Sequence, residues 1–172
     1  AKKFARYLFQ HKTFYDRIYH EFRLCTKQAK AHIVKLGSYD EILFNSHKWS
    51  EIANEDFFAV IDVRLLEILQ YLENGLIKKT GKGFEIVLGY EYTPKKNRFL
   101  NTHKQGKAID ITFDNFRQDK IILGDILENS GLNYYLGLFT DYAHVSISSK
   151  EPCIQDIESK KVSCSCHENF NS

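Results

Sequence analysis

Residues 107–112, KAIDIT, alternate apolar and polar positions with a period of two, and few other stretches restrict the fold as strongly. On a strand, successive side chains face opposite ways, so Ile109 and Ile111 share one face while Ala108, Asp110 and Thr112 share the other. The isoleucines belong to a core, and Asp110 therefore faces out of it. Residues 142–148 repeat the pattern: Val145 and Ile147 lie on one face, His144, Ser146 and Ser148 on the other. If the two strands are neighbours in one sheet, Asp110 and His144 converge on the same side. His103, in the loop before Gly106, can fold back towards them. Two neutral imidazoles and one carboxylate make a His2Asp set suited to zinc, with a fourth position left open as in catalytic sites. Taken singly, a His-x-x-Gly or a strand aspartate is an ordinary surface feature; their joint placement carries the reading.

Zinc activates water and polarises carbonyl groups, but hydrolysis also needs a base to take the water's proton. Asp141, three positions before His144, is the candidate. On a straight strand the two would face opposite ways, so this role requires the chain to turn between Asp141 and Ala143.

The rest of the chain reads as a mixed α+β domain with additions at both ends. Phe4, Tyr7, Leu8, His11, Tyr15, Ile18, Tyr19 and Phe22 recur at helical spacing, which predicts an amphipathic helix able to continue through residues 27–35 to Gly37. Its aromatic stripe fits packing on the same protein better than on a membrane or a wall polymer, although residues 1–32 are markedly basic. Residues 38–50 predict short helical turns. The stripe Val60, Val63, Leu65, Leu66, Ile68, Leu69 and Leu72 predicts a central buried helix ending at Asn74-Gly75. A glycine-rich turn over 80–83 leads to a strand over 84–89, and a polar loop over 90–102 leads to His103. After the strand at 107–112 come a helix over 118–129 closed by Gly131, then strands over 133–139 and 142–148. The partition is a helical extension (1–37), a main domain with a small antiparallel sheet and flanking helices (38–150), and a tail (151–172). His11, His20, His32 and His47 fall among helical or turn residues and are read as structural or solvated; His167 belongs to the tail.

The segment His103-Lys104-Gln105-Gly106-Lys107-Ala108-Ile109-Asp110 resembles the Ser-x-His-x-x-Gly-x-Ala-x-Asp motif of the D-Ala-D-Ala carboxypeptidase and hedgehog superfamily of zinc proteins, with Asn101 at the serine. Asp141-x-x-His144 resembles its second motif, Glu/Asp-x-x-His. Gly89-Tyr90, Pro94 and Asn97 are similar to its Gly-Tyr-Arg-Ser-Pro-x-x-Asn loop, so the likeness spans about residues 44–148. The resemblance implies a hedgehog/D-Ala-D-Ala peptidase-like fold, zinc on His103, Asp110 and His144, and Asp141 as general base. It also implies substrate contacts from the loop, here assigned to Tyr90 and Arg98. The implied activity is that of a zinc metallopeptidase cutting peptidoglycan stem peptides or cross-links, as D,D-carboxypeptidase or endopeptidase, and phage L-Ala-D-Glu endopeptidases share the aspartate variant. The alternative is a non-catalytic zinc-binding interaction domain of hedgehog type. Two departures bear on that choice: Glu91 stands where peptidases of the family place an arginine that stabilises charge on the attacked carbonyl, and Asp141 is one methylene shorter than glutamate.

Of the 172 residues, 43% are hydrophobic, and the net charge is +2, which points to a folded protein with no nucleic-acid partner. No apolar stretch has the length of a membrane span. The oligomeric state is left open. A peptidoglycan substrate predicts an exported or phage-associated protein, and the absence of methionine, even at position 1, predicts a processed or excised chain. Of the cysteines, Cys153 with Cys164 or Cys166 can close a small disulfide loop, Cys164-Ser165-Cys166-His167 can hold a soft metal, or the tail can be loosely ordered with incidental thiols.

Overall fold

A computed structural model describes residues 34–53, 59–91, 102–148 and 151–164. The expected N-terminal helix over 1–33 lies outside these residues. Where that helix was expected to run on, Val34–Leu36 is instead a strand, β1, paired antiparallel with β4 (Val60–Asp62). Val34 is β-branched, and the pairing with β4 gives this stretch its extended backbone.

The expected short helical turns of 38–50 are mostly a hairpin. β2 (Ile42–Phe44) pairs with β3 (His47–Lys48), and only Trp49–Glu51 forms a single turn of 3-10 helix. Asn45 supplies the left-handed residue of the hairpin turn at φ 47°, a conformation asparagine tolerates better than most residues. Its side-chain amide donates to Glu73 (2.7 Å). His47 is buried between two carboxylates, with Nδ1 at 2.7 Å from Glu51 and Nε2 at 2.6 Å from Glu73. This is a structural role, and it fastens the hairpin to the long helix behind it.

That helix, α1, spans Val63–Thr80 and so begins later and ends later than its apolar stripe suggested. Asp62 caps it by accepting from the Arg64 backbone N–H at 3.0 Å, which keeps Val60 in a strand before the helix begins. Gly75 does not stop it. A Cβ there would lie 2.4 Å from the Ile126 side chain, so the glycine lets a second helix approach closely. Termination comes at Gly81, left-handed at φ 83°, whose N–H reaches the Ile77 carbonyl (2.8 Å). Leu65, Ile68, Leu69, Leu72 and Leu76 are all buried along one face.

The helix expected over 118–129 is two short ones, α2 (Phe116–Asp119) and α3 (Ile122–Glu128). Lys120 at the junction is buried, its Nζ bonded to the Phe139 carbonyl (3.1 Å) and to Glu158 (2.6 Å).

The main sheet has six strands in the order β10-β9-β7-β8-β6-β5, comprising β5 (Glu85–Leu88), β6 (Ala108–Thr112), β7 (Tyr134–Leu138), β8 (Ala143–Ile147), β9 (Cys153–Asp156) and β10 (Lys161–Cys164). It is larger than expected and not wholly antiparallel, because β9 runs parallel to β7. The tail is therefore built into the sheet as far as Cys164. Apolar spacing gave little warning, since Cys153, Gln155 and Lys161 dilute it. One face of the sheet carries Ile109, Ile111, Leu136, Leu138 and Val145 into the core beside α1 and α3. The structure is thus mixed α+β, with the mixed six-stranded sheet, two small two-stranded sheets and three helices among the described residues. No helix among them is long and apolar enough to cross a membrane.

Two substitutions test this packing. Replacing His47 with leucine should cost about 3–5 kcal/mol, because it strands the Glu73 carboxylate in the core, and replacing both residues with leucine should cost less than the single change. Urea denaturation of the two variants distinguishes these outcomes. Gly131 is left-handed at φ 68° with nothing within 4 Å of an added Cβ, whereas Gly106, at φ 67°, would drive its Cβ to 2.3 Å from the Val60 carbonyl oxygen. Gly131→Ala should cost about 1–2 kcal/mol, and Gly106→Ala about 2–5 kcal/mol once forced displacement of β4 is added.

Candidate metal centre

Three elements converge on one side of the sheet. β6 and β8 pair antiparallel with Asp110 directly opposite His144, so the two side chains leave the sheet on the same face. His103 comes from a turn of 3-10 helix, His103–Gln105, folded back over that face. Gly106 ends the turn in the left-handed conformation, and its carbonyl accepts from the Asp62 N–H at 2.8 Å. That bond ties the turn to β4, at the start of α1.

The ligand atoms meet closely. Asp110 Oδ1 lies 2.8 Å from His144 Nδ1 and 3.2 Å from His103 Nε2, and the two ring nitrogens are 3.2 Å apart. All three lie within 4.8 Å of one another. His103 and Asp110 are buried and His144 is half-buried, so the group opens to solvent on the His144 side.

The outward nitrogens are also engaged. His103 Nδ1 is 3.0 Å from the Gly89 carbonyl oxygen. A carbonyl only accepts, so that nitrogen carries a proton, and the neutral ring turns its Nε2 lone pair into the group. His144 Nε2 lies 3.4 Å from the Thr102 hydroxyl, which leaves Nδ1 to face inward. Metal-binding histidines are commonly oriented by such outer partners. Two inward lone pairs and a carboxylate make a centre of negative potential that is satisfied by a cation, either a proton or a metal ion.

The titration behaviour agrees. Burial pushes the Asp110 carboxyl up, but hydrogen bonds and charge from His103 and His144 outweigh it and hold the group below the ordinary carboxylate range. Burial pushes His103 down, yet the Asp110 carboxylate, the Gly89 carbonyl and the Glu91 charge together raise it. Without a metal, His103 is therefore disposed to take up a proton at the position where a metal would sit.

The remaining candidates fall elsewhere. Asp141 lies at the turn between β7 and β8, so the chain does turn there, but its exposed carboxylate is bonded to Arg117 Nε at 2.6 Å. The hydrogen bond from Arg117 holds its pKa below the ordinary value. It does not join the three-residue group. Tyr90 is buried in the core, with its N–H on the Ile52 carbonyl (2.8 Å). Arg98 and the rest of 92–101, with Asn101, lie outside the described residues, as do Cys166 and His167. Cys153 is disulfide-bonded and therefore not a thiolate ligand, and the register sets Cys164 opposite it across β9 and β10.

Sequence reasoning missed Thr102 and the Gly89 carbonyl, which carry no periodic signal. It also missed Tyr135, for which a signal existed. Gly137 pairs with His144, so Tyr135, Gly137 and Phe139 share the metal face of β7 by the same alternation that placed Asp110.

Compared with models of known protein families and with curated proteins, the chain matches none. The candidate metal site therefore rests on its geometry. Elemental analysis of protein purified without added metal should find about one transition-metal ion per chain, the stoichiometry of a three-ligand site. Asp110→Ala should abolish it, and Thr102→Val should weaken metal affinity by about 10- to 100-fold.

Proposed function

We propose that the chain is a zinc-dependent peptidase that hydrolyses a peptide bond in peptidoglycan stem peptides or cross-links, with a fold of the hedgehog/D-Ala-D-Ala peptidase type. The observation that carries this reading is the His103, Asp110 and His144 group on the open face of the sheet. Two imidazole nitrogens and one carboxylate oxygen suit zinc, and three protein ligands leave a position for a reactant. Zinc bound there would activate a water and polarise the scissile carbonyl. The motif resemblance around His103 to Asp110 and Asp141 to His144 supports the substrate class. The Cys153 disulfide supports an oxidising, exported setting.

The protein's own residues divide the remaining work. Gly89 and Thr102 fix the two imidazoles, and Asp110 supplies the charge that orients both rings. Asp141 acts as base: it takes a proton from the attacking water and returns it to the leaving amine. To do so, its carboxylate exchanges the Arg117 guanidinium for the water, a change open to an exposed ion pair of small intrinsic strength. Arg98 is the proposed substrate contact of the loop that follows Gly89, while Tyr90 packs in the core.

A second reading, a non-catalytic zinc-binding interaction domain of hedgehog type, is favoured by two observations. The Asp141 carboxylate is held by Arg117, while the charge felt by His103 from the adjoining loop is that of Glu91. Incubation of the zinc-loaded protein with muropeptides, followed by mass spectrometry, separates the two. Cleavage that falls about 10²- to 10⁴-fold in Asp141→Ala is expected. Undiminished cleavage by that variant would remove Asp141 as the base, and no cleavage by the zinc-loaded wild type would favour the interaction domain.

A further inference from the structure

A hydrolytic centre needs a hydrogen-bond donor where negative charge grows on the attacked carbonyl oxygen, in addition to a cation. Of the hydroxyls beside the group, that of Thr112 donates to the Asp141 carbonyl at 2.8 Å, and that of Thr102 serves as the acceptor for His144 Nε2 at 3.4 Å. Glu91 is a carboxylate and cannot donate when ionised.

Tyr135 differs. Gly137 stands opposite His144 in the sheet, and in place of a side chain there, Tyr135 leans across the vacant position. A Cβ on Gly137 would lie 3.3 Å from Tyr135 Cε1 and 3.4 Å from its hydroxyl. The phenol ring meets the His144 imidazole edge-on, with centroids 6.1 Å apart. Its hydroxyl is steadied by donating to Gln155 Oε1 at 2.8 Å. Gln155 lies on β9, where Gly137 is also its strand partner, so one glycine indexes both His144 and the residue that holds the phenol.

We propose that the Tyr135 hydroxyl is the hydrogen-bond donor to the substrate carbonyl oxygen at this centre, with Gln155 as its positioning residue. The inference rests on the peptidase reading above. In the free protein the phenol O–H points to Gln155 Oε1. When substrate enters, a half-turn of the Gln155 amide presents its N–H to the phenol oxygen and releases the O–H towards the substrate carbonyl. No bond is made or broken other than these hydrogen bonds, and the glutamine supports the phenol in both states.

The test uses the zinc-loaded 172-residue chain. Tyr135→Phe removes one oxygen and keeps the ring against His144, so zinc content and the melting temperature should change little. Its kcat on muropeptides should fall about 10²- to 10³-fold with KM nearly constant, the signature of a lost oxyanion donor. Affinity for a phosphinate isostere of D-alanyl-D-alanine, measured by calorimetry, should fall in parallel because the phosphinate oxygen mimics the charged oxygen. Gln155→Leu should lower both quantities by a smaller factor. If the wild type cleaves muropeptides and Tyr135→Phe retains its kcat and phosphinate affinity, the role of Tyr135 is overturned and the peptidase reading stands. If the zinc-loaded wild type neither cleaves nor binds the phosphinate, the peptidase reading falls and takes this inference with it.

Discussion

The antiparallel register between β6 and β8 is the constraint on which the centre depends. It sets Asp110 opposite His144 and, on the reverse face, Ile109 opposite Val145. A one-residue slip would carry the aspartate and the histidine into the core and the apolar residues to the surface. Burial of Ile109, Ile111 and Val145 against the helices therefore defends the geometry of the polar face. Core packing and the candidate metal site are two sides of one pairing.

Around that pairing, the less regular parts act as fasteners. The Gly106 turn reaches β4 through its carbonyl, and β4 leads directly into the capped start of α1, so His103 is positioned by the body of the protein. The His47 and Glu73 contact and the buried Lys120 do similar work at other places. The first holds the β2 and β3 hairpin to α1, and the second holds the β9 to β10 turn against the junction of α2 and α3. Each buries a charged group among close partners, an arrangement that favours one geometry over its neighbours while adding little net stability.

Much of the centre was legible in sequence because strand alternation is a local rule. Two residues of the three came directly from it, and the third from a histidine beside a glycine that permits a sharp turn. What could not be read from the sequence was non-local. Gly75 lies under Ile126 of a neighbouring helix and serves close packing where a stop was expected, and the apolar pattern of α1 alone does not register that helix. Val34–Leu36 is a strand because β4 pairs with it. The β9 and β10 hairpin escaped notice because a strand beside β7 is specified as much by backbone pairing as by its side chains. Tyr135 was within reach of the same alternation used for Asp110, but its face is assigned only once Gly137 is known to oppose His144. The ion pair of Asp141 with Arg117 joins residues 24 positions apart and has no sequence signature.

His103 and His144 are separated by 41 positions, and Asp110 and His144 by 34. In an unfolded chain these groups are rarely near one another, so a cation held by all three binds the folded form almost exclusively. Its binding free energy then adds directly to folding free energy, as that of any ligand selective for the native state does. Such an ion would close a long loop much as a disulfide does, with the difference that chelation or acid can open it. Resistance to unfolding would thereby become a property of the surrounding solution as well as of the chain.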